Sequence, residues 1–442
     1  MEATTRPNVL LIMTDDQPYY TLGIMEAVMR RLVAQGLRFS NGYVATPVCG
    51  PARGSVLTGK WSHNTGLEAT SGAWRQLVES GELPRNIARR LEAAGYACHL
   101  TGKFTNDLEN ANWVCPGFSS WWAQLEDLND GQKTFWSVNG ERRREIERTG
   151  TEEGNETMIA AGFTENFIRN HRGAPWFACF WPHSPHGPYH YLNRFEDTHQ
   201  DERPPTRYGE ADVSDKARDA RRRMRSSDAA EAERMQEYRE KLREIEDVDV
   251  GCARIMTALA QTGQLENTYV FFVTDNGYQF GEHNLDRKLW PYEESARTPF
   301  VVRGPGVRQD AASGKLVSQV DLLPTICELA GAVASGVDGR SMVPLLSNPG
   351  APWRDYLLVE AEERGWHSVR MRKFNQTTQS HDNLLYIRWN DGFEELYDYE
   401  NDPHLLDGTI NTPRERANAE DLRQRLETMR VSAGDAYRAA EN

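Results

Sequence analysis

The sequence predicts an α/β fold, a sheet covered by helices on both faces, with a smaller C-terminal α+β unit. Three observations point there. Short apolar runs read as strands buried on both faces, helix-like segments alternate with them, and a Gly- and Pro-rich stretch precedes a differently patterned end. The first apolar run, Asn8-Val-Leu-Leu-Ile-Met-Thr14, ends in Asp15-Asp16. Leu83 to Ala94 is helix-like and leads into a candidate strand, Ala97 to Thr101. Another helix-like segment ends near His171 and leads into Trp176 to Trp181. Residues 215 to 247 interleave Arg, Glu, Asp and Ala, which reads as a solvated helical face running on to about Ala260 before Thr262-Gly263. No catalytic role is expected of it. Thr268-Tyr-Val-Phe-Phe-Val-Thr274 repeats the first pattern and ends in Asp275-Asn276-Gly277. Gly331 to Pro352 reads as a link, dividing the chain into residues 1–350 and 351–442. In the second part Leu384 to Arg388 and Glu395 to Asp398 flank Asp391-Gly392, a hairpin signal, and a helix from about Thr412 to Met429 closes the unit.

The 442 residues carry 51 Lys and Arg against 65 Asp and Glu, a formal net charge of −14. Such a surface repels polyanions, which excludes a nucleic-acid partner, and any anionic substrate must be captured by a few placed cations. With 39 % hydrophobic and 26 % charged residues, wholesale disorder is excluded as well. No run approaches the roughly 18 apolar residues that span a bilayer, so no membrane partner is expected. The polar start, Met1 to Pro7, lacks the pattern of an export signal. Six cysteines without close pairing or zinc-ligand spacing add to the expectation of a reducing, cytoplasmic compartment.

The most specific segment is Cys49-Gly-Pro-Ala-Arg-Gly-Ser-Val-Leu-Thr-Gly-Lys60. A lone cysteine beside proline is ordinarily a buried structural thiol. Here Cys, Pro, Arg, Thr and Gly stand together in the register of a known signature. The chain resembles the type I, formylglycine-dependent sulfatases of the alkaline-phosphatase superfamily, from Arg6-Pro-Asn8 to Glu395-Leu-Tyr-Asp398. The wording Gly102-Lys-Phe-Thr-Asn106 is closest to the branch of N-acetylglucosamine-6-sulfatases and heparan-type sulfatases. That resemblance implies the alkaline-phosphatase-like mixed sheet. It also implies that a separate maturation enzyme oxidises Cys49 to formylglycine (3-oxoalanine). The hydrate of that aldehyde is a geminal diol: one hydroxyl attacks the sulfur of a sulfate ester, and the other then expels sulfate.

In the same reading Asp15, Asp16, Asp275 and Asn276, with residue 49, form a shell of hard oxygens for one divalent cation, Ca²⁺ first and Mg²⁺ or Mn²⁺ as alternatives. Either carboxylate pair alone could equally be a turn former or a helix cap. Arg53 follows Cys49 by about one helical turn if the motif opens a helix, so it could point back at the nucleophile. Lys103, Lys288 and His183 match family residues that surround the sulfate, with His186 and His190 as nearby alternatives to His183. Many sulfatases carry a histidine two residues after the lysine matched by Lys103; this chain has Thr105. Trp113, Trp121, Trp122 and Trp136 are read as core packing rather than a stacking surface.

The expected activity is hydrolysis of a sulfate monoester. With no basic stripe for a long polysulfated chain, a mono- or disaccharide sulfate or a small aryl sulfate is the expected substrate. Two rivals stand beside it: a phosphodiesterase or phosphonate monoester hydrolase on the same scaffold, and a non-catalytic binding protein with unmodified Cys49.

Overall fold

Apolar runs flanked by polar residues become strands here because burying both faces of a strand requires side chains of one character on both. The computed structural model describes residues 6–108, 110–125, 133–205, 210, 212–224, 227–376 and 379–442, so the polar start Met1 to Thr5 and residues 225–226 of the charged run lie outside it. In chain order the strands are β1 (Asn8–Thr14), β2 (Leu37–Tyr43), β3 (Ala97–Gly102), β4 (Ser120–Gln124), β5 (Lys133–Val138), β6 (Glu141–Glu147), β7 (Trp176–Trp181) and β8 (Thr268–Thr274). They continue with β9 (Gln279–Phe280), β10 (Asp286–Arg287), β11 (Phe300–Arg303), β12 (Ala311–Ser318), β13 (Tyr356–Ala361), β14 (Trp366–Asn375), β15 (Ser380–Trp389) and β16 (Glu394–Asp398).

Ten of these form one mixed sheet in the order β12-β2-β11-β8-β1-β7-β3-β4-β5-β6. Its centre, β8-β1-β7-β3-β4, is parallel throughout. Antiparallel pairs bring in β11 on one side and β5 and β6 on the other. Side chains of β1 alternate between two cores. Val9, Leu11 and Met13 pack with the helices Cys49–Thr58, Ile87–Ala93 and Leu322–Ala330, whereas Leu10 and Ile12 pack with Glu156–Asn170 and Asp228–Gln261. A four-stranded antiparallel sheet, β13-β14-β15-β16, follows from Tyr356 onward, with the helix Pro413–Met429 on its core. Thr412 and Glu415 form a capping box at the start of that helix. Among the described residues no helix is long and apolar enough to cross a membrane.

β1, β7, β8, the β15–β16 hairpin and the closing helix fall where the sequence puts them. Two segments differ. Leu83 to Ala94 is broken: a 3₁₀ turn, Leu83–Arg85, precedes the helix Ile87–Ala93, because the Asn86 side chain accepts the Arg89 N–H at 3.0 Å and caps a new helix. The charged run is also interrupted, into Arg218–Arg223 and a 34-residue helix, Asp228–Gln261, capped by Ser227. Trp121 and Trp136 are core residues, and Trp113, Trp121 and Phe104 meet edge-on or tilted at 5.1–5.8 Å.

Glycine follows from geometry at two strand ends. Gly102, at φ +106°, closes β3 so near β7 that a Cβ would lie 1.9 Å from the Trp181 carbonyl oxygen. At Gly277 it would lie 2.1 Å from the Glu294 carbonyl oxygen. Gly102→Ala is therefore expected to cost about 2 kcal/mol or more of stability in urea unfolding, since neither backbone can retreat. An unchanged unfolding midpoint would contradict this close approach.

Candidate active site

Because β8, β1, β7 and β3 are neighbours and parallel, the residues that follow them emerge at one edge of the sheet. β8 delivers Asp275 and Asn276, β1 delivers Asp15 and Asp16, β7 delivers the loop from Pro182 to Pro188, and β3 delivers Lys103. Hydrogen bonds lock the two carboxylate-bearing ends together. The Asp275 N–H donates to the Thr14 carbonyl at 3.0 Å, and the Asp16 N–H donates to Asp275 Oδ1 at 3.1 Å. Asp16 adopts φ +63°, a left-handed conformation that Asp tolerates better than most residues. Asn276 donates its Nδ2 to Asp16 Oδ1 at 2.6 Å.

The motif does open a helix, Cys49–Thr58, whose N-terminus meets this edge. Cys49 Sγ lies 3.2 Å from Asp15 Oδ1, 3.9 Å from Asp16 Oδ1 and 2.8 Å from Lys288 Nζ. One turn on, buried Arg53 reaches Asp275 Oδ2 at 2.9 Å and Asp15 Oδ2 at 3.5 Å, and donates Nη1 to the Lys103 carbonyl. Lys103 Nζ donates to Asp15 Oδ2, and Lys288 Nζ donates to Asp16 Oδ1. Lys288 sits between Arg287 (φ +69°) and Leu289 (φ +73°), so strained backbone holds it in place.

Of the histidines after β7, His186 comes nearest to the carboxylates, with Nε2 3.7 Å from Asp16 Oδ2. His183 stands one ring behind, 4.8 Å from His186 between centroids and 4.0 Å from Glu156 Oε2. His190 is drawn away: its backbone N–H donates to Glu244 Oε1 at 2.6 Å, and its carbonyl accepts from Asn155 Nδ2.

The charged run has more than a solvated face. Lys241, almost fully buried on the helix Asp228–Gln261, places Nζ 3.8 Å from Asp16 Oδ2, 2.8 Å from the Pro185 carbonyl and 4.1 Å from the Tyr278 ring centre. The expectation that this run is a solvated face is corrected at Lys241, which is buried against the site. A signal was present in the sequence, since Lys241 lies three residues after Tyr238 and four before Ile245, inside the apolar stripe that meets the sheet.

Three carboxylates, Asp15, Asp16 and Asp275, thus face four cations, Arg53, Lys103, Lys241 and Lys288. Burial opposes ionisation of Asp15, yet Lys103, His186 and Arg53 together hold its carboxyl well below the usual range. For Asp16 the same opposition is overcome by Lys288, His186 and Lys241, leaving it at about 2. Asp275 goes the other way, up to about 6, through burial and the Asp15 charge. Burial, then Asp15 and Asp275, push the Cys49 thiol well above its ordinary value. A ready thiolate nucleophile is therefore not what this site makes.

The residues fit a metal cation. Asp15, Asp16, Cys49 and His186 each offer a ligand atom, all within 4.8 Å of one another. Beside them Asn276 Oδ1 is a buried acceptor with no hydrogen-bond donor among the described residues, the condition a cation would relieve. Cys49, Asp16 and Lys288 form part of the lining of a cavity of about 710 Å³, whose walls also include Lys241, Glu237 and Tyr189.

The sequence pattern of the family described as Sulfatase matches residues 7–332, and one described as N-sulphoglucosamine sulphohydrolase, C-terminal, matches 281–432. An extracellular sulfatase Sulf-1 homologue of Caenorhabditis elegans is 29 % identical over 415 residues, covering 86 % of this chain and 57 % of its own length. Human N-acetylglucosamine-6-sulfatase is 29 % identical over 389 residues, covering 82 % of this chain and 68 % of its own. The chain therefore spans about half to two thirds of the length of these relatives. A solved structure described as in complex with its substrate D-glucosamine-2-N,6-O-disulfate superposes with a TM-score of 0.77 at 22 % identity, over 96 % of this chain and 97 % of that one. The fold is the expected alkaline-phosphatase-like one, a mixed sheet with a small C-terminal antiparallel sheet.

Arg53→Met should leave Asp275 and Asp15 without their shared buried partner. A loss of about 3 kcal/mol or more in guanidinium unfolding of ion-free protein is expected. A loss below about 1 kcal/mol would mean that Arg53 does not hold this cluster together.

Proposed function

The chain belongs to the sulfatase family, and we propose that it hydrolyses sulfate monoesters, with Cys49 as the residue converted to formylglycine. The observation that carries this reading is the setting of Cys49: first residue of the motif helix, on the wall of the cavity, among Asp15, Asp16 and Lys288. Formylglycine hydrate supplies one hydroxyl to attack sulfur and a second whose collapse expels sulfate and restores the aldehyde. A maturation enzyme is the implied partner for that conversion.

Asp15, Asp16, Asp275, Asn276 and residue 49 would hold the divalent cation, Ca²⁺ in preference to Mg²⁺ or Mn²⁺, because the donors are mainly hard oxygens. A bound ion of this kind supplies Lewis-acid polarisation of the sulfuryl oxygens. Lys103 and Lys288, now neutralising Asp15 and Asp16, are the cations placed to take sulfate oxygens instead. Arg53 stays locked on Asp275 and orients the helix N-terminus that favours an anion. His186, with His183 behind it, is the imidazole nearest the cluster; burial lowers its pKa to about 3 and its Nδ1 donates to the Gly187 carbonyl, so the Nε2 facing the cluster is a proton acceptor.

The substrate in this reading is a mono- or disaccharide sulfate or a small aryl sulfate. A cavity of about 710 Å³ is of the size that takes a small leaving group. So do the human relative named for N-acetylglucosamine 6-sulfate and the neighbour solved with a sulfated glucosamine. Residues 1–350 would form the catalytic unit and 351–442 its C-terminal companion. The six cysteines, all free and buried, support a reducing, cytoplasmic compartment.

Matured protein is expected to prefer aryl and 6-sulfated sugar esters over aryl phosphodiesters and phosphonates. A preference of more than about tenfold for either phosphorus ester would overturn the sulfatase reading. Cys49→Ala should lower kcat/KM by at least about 10³-fold with an unchanged melting temperature, and mass spectrometry of the wild-type peptide should find an aldehyde in place of the thiol. Asp275→Ala should bind less than stoichiometric Ca²⁺ by elemental analysis; a full complement would refute the proposed shell.

A further inference from the structure

We propose that Glu237 selects sulfate esters whose leaving group carries an ammonium, as an unsubstituted amino sugar does. This rests on the sulfatase reading and adds a substrate class to it. Glu237 lies on the helix Asp228–Gln261, one turn before Lys241, and lines the same cavity as Cys49, Asp16 and Lys288. Its Oε1 accepts the Tyr278 hydroxyl at 2.5 Å and the Tyr189 hydroxyl at 3.1 Å. The rings of those tyrosines stand 4.1 Å and 5.7 Å from Lys241 Nζ, which itself lies 3.8 Å from Asp16 Oδ2. Glu237 thus shares with Lys288, one of the cations assigned to sulfate, the cavity that must also hold the leaving group.

What singles it out is charge. The other carboxylates of the cavity wall are already matched, Asp16 by Lys288 and Lys241 and Asp286 by Arg234. Among the described residues Glu237 forms no ion pair; Lys241, the basic residue nearest it on the helix, is turned to Asp16 and the Pro185 carbonyl, and Arg234 is paired with Asp286. Two tyrosine hydroxyls on one oxygen fix the direction of the carboxylate. The other oxygen makes no hydrogen bond among the described residues. An uncompensated carboxylate repels a sulfate ester unless the same molecule brings a positive charge to it. A half-buried carboxylate with a free oxygen and an adjoining tyrosine ring is the wall an aminated pyranose would meet.

The test compares kcat/KM of the matured protein for glucosamine 6-sulfate, glucose 6-sulfate, N-acetylglucosamine 6-sulfate and 4-nitrophenyl sulfate, in wild type and in Glu237→Gln. Glutamine keeps an acceptor for the tyrosine hydroxyls and loses the charge. Wild type should favour glucosamine 6-sulfate over the glucose and N-acetylated esters by about tenfold or more, chiefly through KM, because a remote anchor binds substrate and transition state alike. Glu237→Gln should bring those ratios to within about threefold of unity. An absent preference in wild type, or one that survives in Glu237→Gln, overturns the proposal. Equal losses on all four esters overturn it too, since they would mean that Glu237 only holds its two tyrosines. Failure of the sulfatase reading looks different: then no ester is hydrolysed, 4-nitrophenyl sulfate included.

Discussion

Asp15, Asp16 and Asp275 are buried within contact of one another, an arrangement that stands only because Arg53, Lys103, Lys241 and Lys288 are buried against them. Desolvating one carboxylate costs several kcal/mol, and a close second one adds repulsion. Much of the architecture can be understood as the means of bringing counter-charges from distant parts of the chain. Parallel order in the sheet sets Lys103 beside Asp15. The motif helix brings Arg53 between Asp275 and Asp15. The long helix brings Lys241 from the opposite face, and a strained loop turns Lys288 inward. Arg53 stays fixed on Asp275, whereas Lys103 and Lys288 each pair with a carboxylate that a bound ion would also neutralise, so these two are the cations an entering anion can recruit.

The fold was legible where one rule dominated. β1, β7 and β8 are buried on both faces, so their composition alone marks them, and Asp391-Gly392 marks the hairpin. β6, Glu141–Glu147, was not legible, because a charged edge strand reads in sequence like solvated chain. In the site, Cys49, Arg53 and the four metal-ligand candidates follow from a local motif and two strand ends. Lys241 and Glu237 do not, because nothing in a charged helix says which turn will meet the sheet edge until the sheet order is known. The order of the three histidines after β7 is equally a matter of loop path, which spacing does not encode.

The long helix carries two duties on different sides. Tyr238, Leu242, Ile245 and Val248 belong to the core over β1 and β8, while Glu237 and Lys241 reach the cavity. Groups mounted on a packed helix are held more precisely than groups on loops. Lys288, by contrast, owes its position to left-handed backbone on either side of it, at Arg287 and Leu289, so local strain does there what packing does for Lys241.

Residue 49 is 1 % exposed in the folded chain, sealed by groups that arrive from as far away as Lys288. In the reading proposed above a second protein must alter that side chain, and in the folded chain only the cavity leads to it. On a ribosome adding about 5–20 residues per second, the 239 residues from Gly50 to Lys288 take on the order of 10–50 s to appear. During that interval β8 and the Lys288 loop do not yet exist, and the motif is an open segment. If Cys49 is converted as proposed, this burial makes the conversion a matter of timing during synthesis, with a deadline set by the length of chain between the motif and its last partner.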